Sequence, residues 1–71
     1  MNEKSAEIVS REMLGIAAKL DESMALLAPH LSEEDYANYR GAVGELMGRM
    51  LLEFLNPLYK QYPSLKPEQL D

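Results

Sequence analysis

The chain has no cysteine, one histidine and one phenylalanine, and it is short of basic side chains. Without cysteine there is no disulfide and no thiolate metal site; the same absence fits a reducing compartment. Seven Lys and Arg stand against twelve Asp and Glu, a formal charge of −5. Such a surface repels nucleic-acid phosphates and anionic lipid head groups. Long apolar runs are also missing. The longest uncharged stretch, SMALLAPHLS over 23–32 with His30 neutral, has ten residues, about half of the roughly 20 that a membrane-spanning helix requires. The opening MNEKSAEIVS carries neither the basic nor the apolar segment of a secretory signal. The expectation is a soluble, cytoplasmic protein that binds neither nucleic acid nor membrane.

Seventy-one residues make one domain, 1–71. A chain of this size buries only about 60% of its unfolded surface. With no disulfide or metal to staple it, oligomerisation is the remaining common device for stabilising so small a scaffold.

What the chain does have is helical periodicity. Val9, Met13, Ile16, Leu20 and Leu27 follow steps of four, three, four and seven, with Ser23 on the skipped step. They fall in one stripe at 100° per residue and predict a helix over about 5–27. Pro29 biases Ala28 away from α geometry and should end it. Ser32 is a good N-cap, followed by Glu33, Glu34 and Asp35 where the helix dipole favours negative charge. Leu31 and Tyr36 are spaced for a hydrophobic staple. A second helix is predicted over about 33–55, with Tyr36, Val43, Met47, Met50 and Phe54 as its apolar stripe and Tyr39 and Leu51 at the edges. Both helices would be about 35 Å long at 1.5 Å per residue. The link over 28–32 is short enough to force them antiparallel. The fold class is all-α, an antiparallel helical hairpin.

Asn56-Pro57 interrupts the pattern. Either Pro57 kinks one continuous rod, or Asn56 caps a new short helix or turn over about 57–61 with Pro57 at its first position. A C-terminal arm over 62–71 should lay Tyr62, Leu65 and Leu70 back on the bundle.

Three of the four glycines crowd into RGAVGELMGR, residues 40–49. A glycine costs a helix interior about 1 kcal/mol against alanine. Gly41, Gly44 and Gly48 share one face with Ala37, beside the apolar stripe. A phosphate loop needs a preceding strand and a different glycine pattern. A hinge does not require a shared face; close helix packing does. The stripe reads as a packing seam, its partner either the first helix or a helix of another chain.

Leu51, Leu52, Phe54 and Leu55 cover most of the circumference at the end of the second helix, and Ile8, Leu14 and Leu26 lie off the main stripe of the first. A lone hairpin has one inner face, and burying each such side chain contributes about 1.5–3 kcal/mol. Pairing two hairpins into a dimeric four-helix bundle covers them. The competing arrangement is a monomer whose arm folds back over the exposed edge. In length and layout alone the dimer resembles the small helical-hairpin dimers of plasmid copy-number control; the acidic balance argues against their RNA binding.

Catalytic chemistry finds little support. His30 sits in the connection and has no Glu-x-x-His partner. Nothing resembles a nucleophile elbow. The acidic runs 21–22 and 33–35 lack the Asp/Asn alternation and glycine of a calcium loop, and dipole matching explains them. Arg40 projects into the apolar stripe, so it either snorkels to a carboxylate at the bundle edge or on a partner chain, the favoured reading, or binds an anionic group in a crevice between helices. Five methionines serve mainly as core fillers. No catalytic residue, cofactor or metal is assigned. The expected function is that of a homodimeric protein–protein interaction or regulatory module, with Leu51, Leu52, Phe54, Leu55, Leu58, Tyr59 and Tyr62 as its dimer or partner contact. The alternative is a bundle binding a small molecule or anion through Arg40 and nearby tyrosines.

Overall fold

A computed structural model of the chain describes residues 1–67; Leu70 and the end of the arm lie outside the described residues. Helix α1 runs Glu3–Leu27, two residues longer at its start than the periodicity indicates. The added turn comes from Asn2, whose side chain accepts a hydrogen bond from the Ser5 backbone N–H at 2.8 Å, satisfying one of the orphan donors of a helix start. Pro29 ends α1 as expected, but Ala28 keeps helical angles and opens a 3₁₀ turn, Ala28–His30. The local bias against α geometry before proline is overridden there.

Helix α2, Glu33–Met50, starts on Ser32, whose Oγ accepts from the Asp35 N–H at 3.1 Å. The two helices form an antiparallel hairpin, and no strand occurs among the described residues. The molecule measures 44 × 20 × 17 Å.

At the far end of α2 the structure takes the first of the two courses open at Asn56-Pro57, a continuous rod, and adds a π turn to it. The helix neither stops at 55 nor restarts on an Asn56 cap. It widens into a π turn, Leu51–Leu55, in which the Asn56 N–H reaches back five residues to the Leu51 carbonyl, and continues as α3, Asn56–Gln61. Asn56 is helical, and its side chain caps nothing. Two physical causes converge on this turn. Pro57 has no N–H to offer the preceding turn and its ring crowds the carbonyl four residues back, which a wider turn relieves. The extra residue also rotates everything beyond it by about 100°. Without that rotation Phe54 would face α1; with it, Leu55, Leu58 and Tyr59 face α1 and Phe54 turns out to solvent. The shifted register exchanges Phe54 for Leu55 and Tyr59 against α1, a net gain of one large side chain or about 1.5–3 kcal/mol, against roughly 1 kcal/mol for a backbone hydrogen bond lost. The shifted register wins.

The core therefore sits at the open end of the hairpin. Ala6 of α1 is fully buried against Leu55, Leu58 and Tyr59, with Val9, Met13, Leu14, Tyr62 and Leu65 packed around them. A 3₁₀ turn, Pro63–Leu65, brings Leu65 back onto this cluster. Val43 and Met50 are buried farther along α2.

Serine–tyrosine pairs tie the helices together at both ends. Ser10 and Tyr59, both buried, hold their hydroxyls 2.5 Å apart. Near the connection, Ser23 Oγ donates to the Leu20 carbonyl and lies 2.6 Å from Tyr39 Oη. The single serine proton is already committed, so Tyr39 is the donor of that pair. The Tyr62 hydroxyl donates to the Met1 carbonyl and fastens the end of the helix to the start of the chain.

Candidate association surface

A two-helix hairpin is one layer thick, so the seam between its helices is open along both flanks. One flank holds a groove of about 250 Å³ lined by Leu14, Ala17, Met47, Gly48, Met50, Leu51 and Leu55. On the opposite flank Ile16, Lys19, Leu20, Ser23, Leu26 and Tyr39 line a groove of about 250 Å³ near the connection. Toward the chain ends, Met1, Val9, Glu53, Phe54, Pro57, Leu58 and Gln61 line a second, of about 230 Å³. Val9, Ile16 and Ser23 are seven apart on α1, so these last two grooves share a side.

Six of the eight large apolar side chains left exposed belong to that side: Met1, Ile8, Ile16, Leu26, Leu46 and Phe54. Leu46 stands seven residues after Tyr39, and Ile8 stands eighteen before Leu26, which is five full turns. Phe54 is 50% exposed and Leu26 62%. We call this the isoleucine flank and the other the glycine flank.

The glycine stripe is not a seam with α1. Gly41 and Gly44 are exposed and Gly48 is half-buried, with Ala37 exposed beside them. A Cβ built on any of the three glycines would meet nothing within 4 Å, and none has a positive φ. Of the two partners the sequence leaves open, the chain's own first helix is excluded.

The sequence-derived contact set divides. Leu51, Leu52 and Phe54 are exposed, as a partner-facing role requires. Leu55, Leu58 and Tyr59 are not available: the π turn swings them into the chain's own core. Tyr62 is half-buried on the same cluster, with its hydroxyl used by Met1. Arg40 snorkels outward without reaching a carboxylate of its own chain among the described residues. It lies one step to the side of the line through Tyr36, Val43 and Met50, so its long stem carries the guanidinium into water. The hydroxyls of Tyr39, Tyr59 and Tyr62 are all engaged within the chain.

Sequence reasoning missed Leu46, Ser10 and the exposure of Ile16. The seven-residue step from Tyr39 could have found Leu46. Nothing local marks Ser10 as buried, since its partner Tyr59 lies 49 residues away.

His30 is exposed in the connection. Among the described residues no three His, Cys, Asp or Glu side chains come together as a metal cage, and no helix is long and apolar enough to cross a membrane. Comparison with protein-family models, with curated proteins and with solved structures finds no match to this chain.

Proposed function

We propose that the chain is a homodimeric, non-catalytic helical module that works by protein–protein contact in the cytoplasm. One observation carries the reading: the hairpin exposes more surface than a compact chain of its mass, with six large apolar side chains along one flank. A compact monomer of 8.0 kDa exposes about 4,450 Å², whereas this chain exposes 5383 Å². The surplus of about 900 Å² compares with the roughly 800 Å² that each partner buries in a standard interface. The radius of gyration, 14.4 Å, likewise exceeds the roughly 11 Å of a compact chain of this length.

The cysteine-free composition supports a reducing compartment. For the anion-binding alternative, the hydroxyls of Tyr39, Tyr59 and Tyr62 are already engaged within the chain, which leaves Arg40 and Tyr36 to hold an anion. Thermal unfolding followed by circular dichroism over a hundredfold range of protein concentration tests the proposal. Mass action raises the Tm of a folded dimer with concentration. A Tm independent of concentration would argue for a self-sufficient monomer.

A further inference from the structure

The apolar sequence around the π turn provides for two registers. Val43, Met47, Met50 and Phe54 follow helical steps of four, three and four, and Leu58 continues the line. A regular α-helix through 51–55 would set Phe54 and Leu58 against α1. Leu55, Leu58, Tyr59 and Tyr62 form a second line, and the extra residue of the π turn brings that line onto the core instead. Leu58 serves both lines. Phe54, left outside at 50% exposure, is what Leu55 and Tyr59 displace.

Packing does little to hold the turn itself. Leu51 and Leu52 are exposed, and the Leu51 N–H is shared between the Met47 and Gly48 carbonyls. The observed register is held at three other points. Pro57 burdens the regular helix, because there its ring crowds the Glu53 carbonyl and offers it no N–H. The Ser10–Tyr59 pair needs Tyr59 on α1. The Tyr62 hydroxyl reaches the Met1 carbonyl from the same register. Absorbing the extra residue would turn α3 by about 100° and break both bonds.

We propose that the π turn is a latched register switch. The segment beyond Met50 has a second, regular α register in which Phe54 replaces Leu55 and Tyr59 on α1, and Pro57 with the Ser10–Tyr59 pair latches the first. The switch changes the surface on offer. One register presents Phe54 on the isoleucine flank; the other withdraws it and presents Leu55 and Tyr59. A partner that grips Phe54 therefore holds the observed register, and one that grips Tyr59 draws out the other. Neither register requires the chain to dimerise.

Pro57→Ala combined with Ser10→Ala removes the latch and leaves both apolar lines intact. Nuclear magnetic resonance on the isotope-labelled full chain reads the acceptor of the Asn56 N–H through the coupling across its hydrogen bond. In the parent that acceptor is the Leu51 carbonyl; in a regular helix it is the Leu52 carbonyl, four residues back. The double variant should show a second set of amide signals over 51–61, roughly a tenth or more of the total, with Asn56 bonded to Leu52. In Pro57→Ala alone that set should be about fivefold smaller, because the Ser10–Tyr59 bond remains. A single set with Leu51 as acceptor in both variants would overturn the second register. A second set as abundant with Ser10 in place as without it would overturn the latch.

Discussion

Ser10 and Ser23 are two small polar side chains on one helix, each against a tyrosine of the returning chain, yet removal of the tyrosine hydroxyl should cost differently. Tyr59→Phe leaves the buried Ser10 hydroxyl with no partner, and the expected loss is about 1–2 kcal/mol. Tyr39→Phe leaves Ser23 still donating to the Leu20 carbonyl, so the loss should be about 0.5 kcal/mol. Urea denaturation of the two variants checks the order, and a larger loss for Tyr39→Phe would contradict it. The glycines give a second test. Gly41, Gly44 and Gly48 have helical φ and open space at the Cβ position. Alanine at each should therefore stabilise by about 0.5–1 kcal/mol and leave association unchanged. Weakened association in those variants would mean that another backbone packs on the glycine flank.

Helix ends, at the scale of the element, were legible because their causes are local. Ser32 caps α2 through a bond spanning three residues, and Pro29 acts within one turn. The π turn was not legible, because its cause compares distant terms: the ring of Pro57 against the burial of Leu55, Leu58 and Tyr59 on α1. Reading 33–55 as uniform α-helix put Phe54 inward and left Leu58 and Tyr59 for a partner, an error of one residue in phase. If the extra residue is what sets the register, deleting exposed Glu53 together with Pro57→Ala should yield a continuous α-helix with the same core. Its Tm should stay within about 8 °C of the parent, an equivalent of 1–2 kcal/mol in a domain of this size. Deleting Gly44 instead removes a residue from regular α-helix and rotates Tyr36 and Tyr39 out of register with Met50. That variant should lose its cooperative transition. Equal tolerance of both deletions would show that the register is not held by this packing.

For the whole molecule, the hairpin was legible and its surfaces only in part. Two periodic segments and a short link are enough to predict antiparallel helices. Which flank stays apolar depends on the phase that the π turn sets, and on Ile16 lying at the rim of the groove, where its stripe position suggested the interior. The structure leaves six large apolar side chains along one flank of a rod with about 900 Å² more surface than its mass warrants. We propose that a second copy covers that flank. Light scattering after size exclusion, over a range of micromolar concentrations, tests it most directly. The expected mass is near 16 kDa, twice the 8.0 kDa of the chain. A species that stays at 8.0 kDa across the range would contradict it and leave the flank exposed in the functional protein.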